Sequence, residues 1–189
     1  CEHWNGSSWT EVADLGTARR YLAGSGQYPS ALCYGGYTTT AIGNTETWNG
    51  SSWTEVADFN TARSEMGSCG TDSTNALVMG ASNTESWNGS TWTEIADLNT
   101  GRSAGQGAGN TSNAIFFGGS PTLALTEEWD GSSWTEVGDL NVARSGLAGD
   151  GIYTSALAFS GTPTSPQSAL TATEEWTQPV ESTVSFTVS

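Results

Sequence analysis

The chain has 189 residues, with 20 acidic side chains, five arginines and no lysine, for a formal charge of −15 at pH 7. A chain of this size can bury roughly 70% of its unfolded surface, enough for one domain with a real core. The charge excludes nucleic-acid and anionic-membrane partners as first expectations, and no apolar run approaches the ~20 residues of a membrane span.

The first element is EHWNGSSWTEV at 2–12, two short runs around Asn5-Gly6. The same eleven residues return as ETWNGSSWTEV at 46–56, ESWNGSTWTEI at 85–95 and EEWDGSSWTEV at 127–137. Trp4, Trp48, Trp87, Trp129 and a fifth, Trp176, follow at spacings of 44, 39, 42 and 47. A period near 40 marks propeller blades or helical arrays. The third unit decides between them: RSAGQGAGN (102–110), NAIFFGG (113–119), TEEW (126–129) and SSWTEV (132–137) are short runs without a 3.6 period. They read as strands a, b, c and d of an antiparallel meander.

Asn-Gly and Asp-Gly between c and d predict type I′ hairpin turns, which need positive φ at both central residues. Side chains five apart across an even-numbered loop share a face. Trp4 and Trp9, Trp48 and Trp53, Trp87 and Trp92, and Trp129 and Trp134 therefore form indole pairs. Such rings bury ~150–250 Å² each. One blade cannot cover its own pair, but the next blade can, which is the physical reason to repeat the unit.

Four of the five arginines share one repeat position: Arg19, Arg63, Arg102 and Arg144. Each follows an aspartate by five residues (Asp14, Asp58, Asp97, Asp139) and a glutamate by eight (Glu11, Glu55, Glu94, Glu136). In a chain without lysine this points to use of the planar fork, on a carboxylate or on loop carbonyls. The reading adopted is a blade-to-blade tie; a ring of arginines around an anionic ligand is the alternative. The blades are expected at 19–57, 63–96 and 102–138. An N-terminal c–d hairpin (1–13) precedes them, and a last blade (144–189) ends on an atypical strand in which Val184, Phe186 and Val188 alternate. Two closures fit this single domain (1–189): the C-terminal part of a propeller of five to seven blades, or a compact ring of four or five.

The unit resembles a kelch repeat, with an arginine opening strand a, a glycine pair ending strand b, an aromatic in strand c and a tryptophan in strand d. The glycine pairs are Gly35-Gly36 and Gly118-Gly119, degraded to Gly80-Ala81 and Ser160-Gly161; strand c carries Trp where the family more often has Tyr. The resemblance implies an all-β propeller of four-stranded blades. In idealised form the repeat reads TEEWNGSSWTEVADLNTAR, which is also similar to kelch-like repeats in structural proteins of bacteriophages, notably marine ones, and in environmental bacterial sequences. That implies a virion surface component, a tail fibre, spike or decoration protein, with other virion proteins, sister subunits or a host surface glycan as partners. The alternative is a secreted bacterial adhesin or lectin-like propeller.

Catalytic chemistry finds few residues. His3 is the sole histidine, so neither a copper site nor a Ser-His-Asp set can be assembled, and no metal or cofactor is implied. Glu127-Glu128 and Glu174-Glu175 are adjacent on a strand and point to opposite faces, so neither pair can flank one glycosidic bond. Cys1, Cys33 and Cys69 form no disulfide framework, and Cys33 reads as a small buried hydrophobe. The c–d turns are nearly identical, whereas the b–c connections at 37–44, 81–83, 120–125 and 162–172 vary. Variable loops on a rigid scaffold carry specificity, which makes Tyr37, Ile42, Leu123 and Leu125 the expected contact surface.

Overall fold

The computed structural model describes residues 1–164 and 169–178. Among them all regular structure is β, in five antiparallel sheets. Strands β1 (Glu2–Trp4) and β2 (Trp9–Glu11) form a hairpin. Blade 1 is β3 (Ala23–Gln27), β4 (Ser30–Tyr34), β5 (Thr45–Trp48) and β6 (Trp53–Val56). Blade 2 is β7 (Gly67–Asp72), β8 (Asn75–Met79), β9 (Thr84–Trp87) and β10 (Trp92–Glu94). Blade 3 is β11 (Gln106–Gly109), β12 (Ala114–Phe117), β13 (Thr126–Trp129) and β14 (Trp134–Glu136). Blade 4 has β15 (Ala148–Ile152), β16 (Ser155–Phe159) and β17 (Thr173–Thr177). Its expected last strand, with Val184, Phe186 and Val188, lies outside the described residues, as does part of the 162–172 connection. The inner strand of each blade packs on that of the next, β3 on β7, β7 on β11 and β11 on β15, and the four blades surround one axis as a β-propeller.

Each interface is a repeat of one packing pattern. The forward face of strand b, Leu32 and Tyr34 in blade 1, packs on Ala76, Val78, Trp87 and Trp92 of blade 2. Leu77 and Met79 pack in turn on Ala114, Phe116, Trp129 and Trp134, and Ile115 and Phe117 on Ala156, Ala158 and Trp176. The indole pairs are in register, Trp48 opposite Trp53, Trp87 opposite Trp92 and Trp129 opposite Trp134, with ring centroids 5.3–5.4 Å apart. Their cover comes from the preceding blade in chain order rather than the next one: Leu32 and Tyr34 lie over Trp87 and Trp92, and Leu77 and Met79 over Trp129 and Trp134. The last large residue of strand b needs a gap in the neighbouring inner strand. A β-carbon at Gly149 would lie 2.7 Å from the Phe117 ring, and one at Gly107 would overlap the Met79 terminal methyl.

Two local features differ from the sequence expectation. The c–d loop has four residues, because Trp48 pairs with Trp53. Only its glycine is left-handed: Gly50, Gly89 and Gly131 all have φ 95°. The preceding Asn or Asp is not left-handed, so the turn is not type I′. Instead its side chain closes the loop, as where Asn49 Oδ1 accepts from the Ser51 and Ser52 amides at 2.9 and 3.0 Å, an Asx geometry. Second, the arginine does not open strand a. Arg102 forms an isolated bridge with Ala81, and a left-handed residue separates it from β11.

That left-handed position recurs two residues after each arginine: Tyr21 (φ 55°), Glu65 (φ 58°), Ala104 (φ 52°) and Gly146 (φ 60°). It turns the backbone so that the blades join head to tail around the axis. The Glu65 amide donates to the Tyr21 carbonyl at 3.0 Å, Ala104 to Glu65 at 2.7 Å and Gly146 to Ala104 at 2.8 Å. A non-glycine residue held there costs on the order of 1–3 kcal/mol. The Glu65 side chain is exposed, and so Glu65→Gly should raise stability by up to about 1 kcal/mol, glycine's extra unfolded-state entropy offsetting part of the relief. A lowered melting temperature would show that the glutamate side chain contributes more than the strain it imposes.

Candidate functional site

The recurring acids and arginines come together in one latch per blade. Glu46, Glu85, Glu127 and Glu174 each begin the strand-c motif and receive the arginine of their own blade. The distance is 2.7 Å for Arg19–Glu46 and 2.9 Å for Arg63–Glu85. The second carboxylate oxygen is held by the linker. Asn60 donates its amide and side-chain nitrogen to Glu85 Oε2 at 2.8 and 2.7 Å. Asn99 does the same to Glu127 at 2.7 and 2.9 Å, and Asn141 to Glu174 at 2.6 and 2.7 Å. In blade 1 the asparagine is replaced, and the Gly16 amide alone donates to Glu46 at 2.7 Å.

The guanidinium takes a carboxylate and carbonyls, but the ion pair is not the expected blade-to-blade tie. The acids five and eight residues before each arginine do not receive it. Asp58 and Asp139 accept the amides of Thr45 and Thr126 at 3.3 and 3.2 Å. The ion pair runs within a blade, because the arginine side chain reaches outward over its own strands b and c. What crosses between blades is the arginine's backbone: Gly36 donates to the Arg63 carbonyl at 3.0 Å, and Gly119 to that of Arg144 at 2.9 Å. A ring of arginines open to an anionic ligand is not formed. Arg102 and Arg144 are fully buried, and Arg102 is committed to the carbonyls of Gly118, Phe116 and Thr100 at 2.9, 3.0 and 2.9 Å.

The other candidate groups are likewise engaged. Glu127 is buried in its latch, whereas Glu128 accepts the Tyr153 hydroxyl of blade 4; the pair divides between two faces. His3 stacks on Tyr28 with ring centroids 3.9 Å apart. Cys33 and Cys69 are buried thiols; burial raises the pKa of Cys33 and pushes that of Cys69 up to about 12, leaving both poor nucleophiles. Among the described residues no three His, Cys, Asp or Glu side chains gather closely enough to hold a metal ion.

On the loop face, the expected contact residues Tyr37, Ile42, Leu123 and Leu125 are all half-buried. Their backbones are pinned: the Ile42 amide donates to Gly36, Gly118 donates to Leu125, and Leu123 bridges Arg144. Tyr37 contributes to a cluster the sequence did not single out. It bridges Arg20, whose guanidinium carbon stands 5.2 Å from the Tyr37 ring centroid and 5.4 Å from that of Tyr21. The Tyr21 ring is largely exposed. Arg20 is the one arginine outside the latches, and its position beside Arg19 masked it in the repeat alignment.

No protein-family model matches this chain. No curated protein is similar enough to be matched to it either.

Proposed function

We propose that this chain is a non-enzymatic, kelch-like binding and structural propeller, working as a surface component of a bacteriophage virion that contacts sister subunits or a host surface glycan. The observation that carries this reading is where the chemistry has gone. Each recurring Arg–Glu set is closed into a blade latch, leaving the Tyr21–Arg20–Tyr37 cluster on the variable-loop face as an open aromatic and cationic platform. An exposed tyrosine ring presents an apolar face to a sugar ring, and a guanidinium can take a sugar carboxylate or hydroxyl pair. The same cluster favours carbohydrate contact in the second reading, a secreted lectin-like adhesin, and neighbouring capsid or tail genes would separate the two.

The test is a glycan array probed with the intact chain and with Tyr21→Ala and Arg20→Ala. The expected result is a restricted set of glycans, acidic ones prominent, with signal lost at least tenfold in both variants. A blank array for the unaltered chain would remove the glycan contact.

A further inference from the structure

The c–d turns carry a reactive arrangement that the blade architecture does not use. Three of them place asparagine before glycine: Asn5-Gly6, Asn49-Gly50 and Asn88-Gly89. All three asparagines are exposed. Each bends its carboxamide toward the amides that follow the glycine, so that one oxygen collects three donors. Asn49 Oδ1 accepts from the Ser51 amide, the Ser52 amide and the Ser51 hydroxyl at 2.9, 3.0 and 2.9 Å. Asn88 Oδ1 accepts from the Ser90 amide, the Thr91 amide and the Ser90 hydroxyl at 2.9, 3.0 and 2.9 Å. For Asn5 Oδ1 the donors are the Ser7 amide, the Ser8 amide and the Ser7 hydroxyl, at 3.0, 3.0 and 2.9 Å. The glycine between is left out of this network: the Gly6, Gly50 and Gly89 amides donate to no acceptor among the described residues.

The fourth turn holds the same cage around an acid. Asp130 Oδ1 takes the Ser132 amide, the Ser133 amide and the Ser132 hydroxyl at 2.8, 2.8 and 2.7 Å. Its glycine, Gly131, has the φ of 95° found at Gly50 and Gly89. The Ser132 hydroxyl, ahead of the Ser133 and Ser132 amides, holds the Asp130 carboxyl down at about 2. A carboxylate therefore sits in this turn as well as a carboxamide does, and with shorter bonds. The a–b turn of blade 3 supplies the contrast. Asn110 is half-buried, and its Oδ1 accepts the Ser112 and Asn113 amides at 2.8 and 3.2 Å. No hydroxyl joins them among the described residues, and the next residue is the β-branched Thr111 rather than glycine. The Thr111 amide is itself engaged, donating to Asn75 Oδ1 at 3.4 Å.

We propose that the Asn49 and Asn88 turns, with Asn5 as a third, are sites of spontaneous deamidation that turns them into copies of the Asp130 turn without unfolding the blade. The glycine nitrogen gives its proton to a base in the solvent and bonds to the asparagine Cγ. The carboxamide C–N bond then breaks, ammonia leaves with a proton taken from water, and a five-membered succinimide remains. Water opens that ring to a carboxylate. Where it adds at the side-chain carbon, the main chain is restored and the residue is aspartate. As the ring forms, negative charge develops on Oδ1, the atom on which the three donors already converge. Hydrogen bonds to a charged oxygen are about twice as strong as those to a neutral one, so the cage favours the transition state over the resting carboxamide. Glycine adds no Cβ to obstruct the attack. Each conversion adds one negative charge to the formal −15. The inference is independent of the glycan platform.

The test holds the intact chain in mildly alkaline buffer without denaturant and samples it by isoelectric focusing and by peptide mapping with mass spectrometry. The expected result is a ladder of more acidic species with unchanged circular dichroism. The added charge should map to Asn49 and Asn88, about tenfold or more ahead of Asn110. Ser51→Ala takes the hydroxyl out of one cage and, at an exposed position, should leave the fold intact. It should slow Asn49 by about threefold or more relative to Asn88 in the same molecules, a modest factor because this donor faces water rather than a closed oxyanion hole. In urea, where the cage is lost, the two sites of that variant should react alike. Asn49→Asp should remove one step of the ladder and keep the parent's melting temperature. Equal rates at Asn49 and Asn110, an Asn49 rate untouched by Ser51→Ala, or a lowered melting temperature for Asn49→Asp would each overturn the proposal.

Discussion

Arg102→Met should lower the unfolding free energy by about 3–5 kcal/mol, because it leaves Glu127 charged, buried and without its partner. The conservative variants discriminate further. Arg102 spends Nε on the Gly118 carbonyl and Nη2 on that of Phe116, two bonds a lysine cannot reproduce together with the ion pair. Arg63 makes its ion pair through Nη1, while its Nε and Nη2 have no acceptor. Arg102→Lys should therefore cost more than Arg63→Lys, by about 1–3 kcal/mol for each buried carbonyl left unpaired. A double variant, Arg102→Met with Glu127→Leu, should lose less than the two single losses added, since it removes both charges at once. Urea-unfolding midpoints check all of these. Equal losses for the two lysine variants would mean that the carbonyl bonds contribute nothing, and the latch would reduce to its ion pair.

The sequence made the propeller and the indole pairs legible because both follow from short-range geometry. Trp129 and Trp134 are five apart across an even loop, and strand alternation alone puts them on one face. The latch was half legible. Recurrence marked Arg63 and Arg102, but their partners Glu85 and Glu127 lie 22 and 25 residues downstream, across two strands. Chain proximity pointed instead to acids in the preceding linker, and one of these, Asp58, caps the Thr45 amide. The left-handed belt gave almost no signal. A glycine marks it only at Gly146, while Tyr21 and Glu65 are residue types that seldom take positive φ and do so here because the inter-blade hydrogen bond demands it. Variability in the loops marked Ile42 and Leu123; hydrogen bonds from their amides to the Gly36 and Gly119 carbonyls fix both backbones, and both side chains are half-buried.

Trp129→Ala should cost about 3–5 kcal/mol, and Trp9→Ala in the same repeat motif should change stability by no more than about 0.5 kcal/mol. Trp129 is buried against Leu77, Met79 and Phe116, with its indole nitrogen donating to the Thr111 carbonyl at 3.0 Å. Its removal leaves a cavity between two sheets that share a hydrogen-bonded belt and cannot close on it freely. Trp9 lies on the uncovered hairpin face, where truncation opens no cavity. The contrast isolates interface burial from the indole's intrinsic strand preference, since both residues stand beside NGSS-type turns and opposite a second tryptophan. A comparable loss at Trp9 in the free chain would mean that the hairpin face is already covered in solution.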